Sequence, residues 1–262
     1  MILTLKLLLT PFLISAITLV NRRWGPRVGG WFMAFPMTSA PVSLILALQN
    51  GAPFAARAAV GSIAGIGSVC VFSLVYSLVC SWTGWALSVS AAIIAFLSAT
   101  ALWNQVNLEL VPTFILVVAL ILGIYRLIPR RPSSDLPVRT PAWDLPARIV
   151  LATAFVVALT TLAGLAGPQL SGLLNPFPIF TILIASFTHH QQGSAAAREL
   201  LSGLVSGTGA YASFFLVVGG LLPLLPIPIV YVLAAIAAVL VNGMSFRLTH
   251  REVAPSPGHL GS

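Results

Sequence analysis

Acidic side chains are nearly missing from this chain. Five stand among its 262 residues, Glu109, Asp135, Asp144, Glu199 and Glu252, and all charged residues together make up 7% of it. A typical globular protein carries roughly 25% charged residues. None of the five lies near the middle of an apolar run. Intramembrane ionisable groups usually mark proton relays and ion paths, so their absence argues against a carboxylate-driven proton pump. Cysteine is scarce too: Cys70 and Cys80 are the only two. On one helix they would stand about 15 Å apart, beyond disulfide reach, which leaves them as small packing residues and excludes a disulfide scaffold. The chain also lacks a Gly-x-Ser-x-Gly elbow, a P-loop, a His-Glu-x-x-His pair and a Cys-x-x-Cys pair. No catalytic residue, metal site or cofactor site can be assembled from what remains, and the protein is not expected to be an enzyme.

What is abundant is apolar surface. The chain is 58% hydrophobic with a mean hydropathy of +1.01, more than a water-soluble globule of this size can hide. These values predict an all-α, polytopic transmembrane bundle whose main partner is the lipid bilayer. The net charge of +8 would suit a polyanion, but the 13 basic residues sit mostly between apolar segments, so nucleic acid is not an expected partner.

A bilayer core of roughly 30 Å needs about 20 apolar residues per helix. On that measure the chain divides into nine spans, near 2–20, 28–49, 57–81, 84–104, 109–128, 147–166, 169–190, 199–222 and 226–246. The first is read as a retained helix, because Asn21-Arg22-Arg23 follows its apolar core where a signal sequence would carry small residues. Placing the Arg22/Arg23/Arg27 loop inside also puts Arg130, Arg131, Arg139, Arg198, Arg247 and Arg251 inside, with Arg126 and Arg148 at adjoining helix ends. Only Lys6 and Arg57 then lie near the other face. The positive-inside rule therefore predicts an external N-terminus and a cytoplasmic C-terminus in the cell (inner) membrane. Trp24, Trp31, Trp82, Trp85, Trp103 and Trp143 fall near span ends, as an aromatic belt requires. His189-His190-Gln191-Gln192 reads as a polar cap at the cytoplasmic end of span 7, and the Pro- and Gly-bearing tail 247–262 reads as disordered.

The chain also repeats itself. At an offset of 142 residues, Gly25-Pro26 falls on Gly167-Pro168, Gly30 on Gly172, and Phe35-Pro36 on Phe177-Pro178. Gln49 and Gly51 fall on Gln191 and Gly193, Ala55 on Ala197, and Gly61, Gly65 and Gly67 on Gly203, Gly207 and Gly209. Two four-helix units follow, 1–104 and 147–246, with the fifth helix and a cytoplasmic loop (105–146) between them. One intervening helix makes the second unit enter the membrane in the opposite sense. Inverted repeats are a recurrent transporter plan, with the substrate bound near the midplane. The glycines spaced by four should let a neighbouring backbone approach closely, either within the chain or in a homodimer.

The paired prolines are the best pointer to a site. Span 2 runs Phe35-Pro36-Met37-Thr38-Ser39-Ala40-Pro41 and span 7 runs Asn175-Pro176-Phe177-Pro178-Ile179-Phe180-Thr181. Each proline removes a backbone donor and disrupts its helix. Freed backbone groups are tolerated in a membrane only where protein or a wet cavity surrounds them. Broken helices at matching places in two halves mark a transporter's binding site. The expected substrate-binding residues are Phe35, Pro36, Thr38, Ser39, Asn175, Phe177, Pro178 and Thr181. The alternative is a pair of proline kinks that serve packing alone.

The stretch Gly172–Ala185, centred on Asn175-Pro176-Phe177-Pro178-Ile179-Phe180-Thr181, resembles the signature of the GlpM-like family of small membrane proteins, with Gly30 and Phe35-Pro36 as an echo in the first half. Asn175 and the double proline depart from the family's pattern. The resemblance implies a link with exopolysaccharide production rather than a defined chemistry. Two functions are therefore expected in order: a transporter or facilitator of a small neutral or anionic solute, then a non-transporting subunit or scaffold of envelope assembly.

Overall fold

The computed structural model describes residues 2–129, 143–158 and 177–251. Every regular element among them is a helix. In chain order these are α1 (Ile2–Trp24), α2 (Pro26–Met33), α3 (Ser39–Asn50), α4 (Ala52–Val79), α5 (Trp85–Trp103), α6 (Leu110–Leu127), α7 (helical over 144–158), α8 (Ile179–Leu221) and α9 (Ile227–Arg251). Five of them, α4, α5, α6, α8 and α9, are long and apolar enough to cross a membrane. This is a multi-pass membrane protein.

Two helices form its centre. α4 and α8 are more than half buried, whereas α5, α6 and α9 are mostly exposed. The exposed side chains are those lipid tails accept, such as Leu87, Ile94, Ile115, Leu122, Ile236 and Leu240. α4 lies along the second part of α8 (residues 194–221) in the antiparallel sense. Ala59 sits beside Gly219, the Cys70 thiol is 3.7 Å from the Thr208 hydroxyl, and Arg198 Nη1 donates to Ser81 Oγ at 3.1 Å. α6 touches both, with Val117 against Gly67 of α4 and Leu110 against Gly219 of α8.

Glycine sets how closely α2 approaches α8. A methyl group at Gly30 would overlap the Leu200 carbonyl oxygen, and one at Gly203 would overlap that of Arg27. A Cβ at Gly207 would lie 2.7 Å from Ala34 Cβ and 2.8 Å from the Trp31 carbonyl oxygen. The two backbones are in direct contact, the close approach that small residues four apart permit.

The offset seen in the sequence recurs in the element boundaries. α4 ends at Val79 and α8 at Leu221; α5 begins at Trp85 and α9 at Ile227. Gly51 and Gly193, on the same register, have nearly the same backbone angles: φ 85, ψ 166 and φ 86, ψ 175. A residue with a Cβ rarely adopts that conformation. At both glycines a shorter helix turns into a 28-residue one in the first unit, and into residues 194–221 in the second.

The span expected over 28–49 is not a continuous helix. It is α2 and α3, separated at residues 34–38. The spans expected over 169–190 and 199–222 meet, from residue 179 onward, in the one bent helix α8. Gly167, Pro168, Gly172, Asn175, Pro176, most of the loop 129–146 and the tail beyond Arg251 fall outside the described residues.

Candidate functional site at the helix breaks

The same backbone device stands at the break between α2 and α3 and at the start of α8. Pro36 has no N–H, and the Met37 amide bonds back to the Phe35 carbonyl at 2.7 Å, closing a three-residue turn over the proline. Pro36 then offers its own carbonyl to the Ala40 amide at 2.9 Å, which starts α3. In the second unit the Ile179 amide bonds to the Phe177 carbonyl at 2.9 Å, and the Ile182 amide to the Pro178 carbonyl at 2.9 Å. Pro178 has φ −82 and ψ 58, the angles of an inverse γ-turn. Proline fixes φ and removes the competing donor, so one dipeptide produces the same turn and helix start twice.

The two breaks differ in what surrounds them. Ser39, next to the first, lies near the Tyr211 hydroxyl of α8 and Ser62 of α4. One turn along α3, the buried Ser43 hydroxyl lies 2.7 Å from Tyr231 Oη of α9. Hydroxyls from α3, α4, α8 and α9 therefore stand near the first break. Pro36 is buried, while Phe35, Thr38 and Ser39 are half-buried. The second break has an aromatic wall instead: the Phe177 ring stacks on Phe155 at 6.0 Å and meets Phe96 edge-on at 5.6 Å. Pro178 and Thr181 are buried. Among the described residues, no hydrogen bond or ring contact joins one break to the other. Tyr211, Tyr231, Ser43 and Ser62 were not expected at the site. They come from helices distant in sequence, and the only signal for them was that all four of the chain's tyrosines fall inside apolar spans.

A charged cluster was also unexpected. Asp144, at the first residue of α7, is fully buried and accepts from Arg22 Nη2 of α1 at 2.6 Å. Arg148 Nε, one turn on, reaches the same carboxylate at 2.9 Å, and Gln191 of α8 donates to its other oxygen. The Arg148 guanidinium stands 4.6 Å above the Phe187 ring, a cation–π contact. Nearby, Asn21 donates to Thr188 at 3.2 Å. The i, i+4 spacing of Asp144 and Arg148 was the available signal. Arg22, Arg148 and Gln191 were all expected at the cytoplasmic end, and here they meet. The adjacent His189 lies 3.2 Å from the Tyr76 hydroxyl, and His190 meets Trp85 edge-on at 6.4 Å.

Burial opposes ionisation of Asp144, but the hydrogen bonds from Gln191 and Arg22 and the charge of Arg148 outweigh it and hold the carboxyl below its ordinary range. A carboxyl depressed in the fold stabilises it above the unfolded-state value, and the contribution is lost as pH falls through the folded one. Thermal stability in detergent should accordingly stay level from neutral pH down to the ordinary aspartate range and drop only below it. Asp144→Asn should lower that plateau and flatten the acid limb; an unchanged acid limb in the variant would place the titration elsewhere.

Searches of protein-family models, curated proteins and solved structures found no match to this chain.

Proposed function

We propose that this protein is a transporter or facilitator of a small neutral or anionic solute, bound where α2–α3 and the start of α8 are broken. The observation that carries the reading is the duplicated turn: the same two backbone hydrogen bonds at Phe35-Pro36 and at Phe177-Pro178. A lone proline kink is common in membrane helices; a matched pair is the mark of a binding site. In this reading the chain has nine spans, with α2–α3 acting as one interrupted span. The units are inverted four-helix repeats around α6, with the N-terminus outside and the C-terminus in the cytoplasm. The antiparallel run of α4 against residues 194–221, its counterpart by register, supports inversion. Thr38, Ser39, Tyr211 and Ser62 would offer hydroxyls to the solute, Phe177 and Thr181 would form the equivalent wall, and Asn175 belongs with them by sequence. Rocking of one repeat against the other would expose the site to each side. Gly203 and Gly207 are taken up by α2, and Gly65 and Gly67 of α4 are buried, so a homodimer would use Gly61 of α4, where nothing lies within 4 Å of an added methyl.

The test is iso-osmotic swelling of proteoliposomes in a panel of small neutral solutes and monovalent salts. The wild-type chain should speed entry of at least one solute over empty liposomes. Tyr211→Phe and Thr38→Val should slow it by about tenfold each, the kinetic equivalent of one lost hydrogen bond, with thermal stability and monodispersity kept. The rival reading, a non-transporting subunit of envelope or exopolysaccharide assembly, rests on the GlpM-like resemblance. It predicts no acceleration for any solute and a phenotype that follows the 129–146 loop instead.

A further inference from the structure

Two guanidiniums meet one carboxylate in the cluster of Arg22, Asp144 and Arg148. That leaves one unit of positive charge among the described groups, at a place where Asp144 is 0% and Arg148 1% exposed. Arg148 is not saturated: Nε holds Asp144, Nη2 reaches Gln191 Oε1 only at 3.4 Å, and Nη1 has no partner among the described residues. A buried guanidinium N–H without an acceptor is costly, more so when the site carries net charge. A structural ion pair alone does not require the second arginine, because the first already neutralises Asp144.

We propose that this cluster is a binding site for a small monovalent anion, a carboxylate or a halide, which completes the coordination of Arg148 and neutralises the residual charge. A guanidinium fork suits a planar carboxylate and also accepts a spherical halide. Arg22 is 30% exposed, so the anion has a way in from the predicted cytoplasmic side. The repeat register gives a second reason. It places Lys6 on Arg148 and Gln49 on Gln191, so each unit carries a cation in its first helix and a glutamine before its glycine bend. In inverted repeats these pairs would stand at opposite membrane faces, one at each mouth. The inference rests on the transport reading and narrows its solute to the anionic class.

The experiment is thermal unfolding of the full chain in neutral detergent, with potassium gluconate replaced stepwise by chloride or, separately, formate at constant ionic strength. Anything that binds only the folded state raises the midpoint by mass action. The wild type should rise with one anion or both, and the stronger response identifies the source. Arg148→Met should give a flat titration. Asp144→Asn should shift the half-maximal concentration down by about tenfold, because a repelling charge is removed. Arg23→Met, which removes an exposed arginine beside Trp24, should behave as wild type. If Arg148→Met does not fold, Arg22→Met should still blunt the response. A wild type indifferent to both anions, or an Arg148→Met that responds as wild type does, overturns the proposal. Swelling assays separate the two claims: neutral-solute flux without an anion shift removes this site and keeps transport, whereas an anion shift without flux does the reverse.

Discussion

Gly203→Ala should leave little folded protein. The added methyl group would overlap the Arg27 carbonyl oxygen, a backbone atom that no rotamer change can move aside. α2 would have to lift off α8, and the loss should reach or exceed about 3 kcal/mol, the upper end for overpacking. Gly30→Ala adds its methyl from the opposite side of the same contact, against the Leu200 carbonyl oxygen, so it should be equally damaging. The two together should not add, since either one already separates the helices. Gly123→Ala is the control: it lies exposed on α6 with nothing within 4 Å of the new methyl, and helix propensity alone favours alanine there by about 1 kcal/mol. Yield of monodisperse protein and the thermal midpoint in detergent check all three. A Gly203→Ala variant as stable as wild type would mean that α2 does not lie on α8 as described.

Arg148→Met carries the second large effect. Removing one member of a buried ion pair typically costs about 3–5 kcal/mol when the partner charge is left without compensation. Here Arg22 still neutralises Asp144 and Gln191 still donates to it, so the loss is that of a charged hydrogen bond, about 1.5–3 kcal/mol. The double variant Asp144→Asn/Arg148→Met should recover most of it, since no buried carboxylate is left to satisfy. A denaturant titration of the four proteins of this cycle gives the coupling directly. Single and double variants of equal stability would remove the cluster from the account.

The legible parts of the sequence were those written as local pattern. Apolar runs of about 20 residues placed α4, α5, α6 and α9 within a few positions, because a membrane span is specified by length and hydropathy alone. Phe35-Pro36 marked where a helix breaks and Phe177-Pro178 where one begins, since proline acts on its own backbone. The glycine series predicted close backbone contact, and Gly203 and Gly207 meet α2 accordingly. The bends at Gly51 and Gly193 were not foreseen: both glycines were visible as a match, but a positive φ has no signature apart from the glycine itself. Long-range pairing was illegible. Ser43 meets Tyr231 and Arg22 meets Asp144 across more than a hundred residues, and nothing in composition or periodicity chooses those partners. The hydroxyls around the first break were missed for that reason, because tyrosine inside an apolar helix gives no sign of which way it faces.

The most direct test of the account is which membrane face each bend reaches. In a Cys70→Ser/Cys80→Ser background, Asn50→Cys and Gln192→Cys would introduce single thiols at register-equivalent positions beside Gly51 and Gly193. Intact cells are then treated with a membrane-impermeant thiol reagent, before and after permeabilisation. Inverted repeats predict that Asn50→Cys labels in intact cells and Gln192→Cys only once they are opened. Labelling of both from the same side would contradict the inverted arrangement and, with it, a solute site exposed alternately to the two faces.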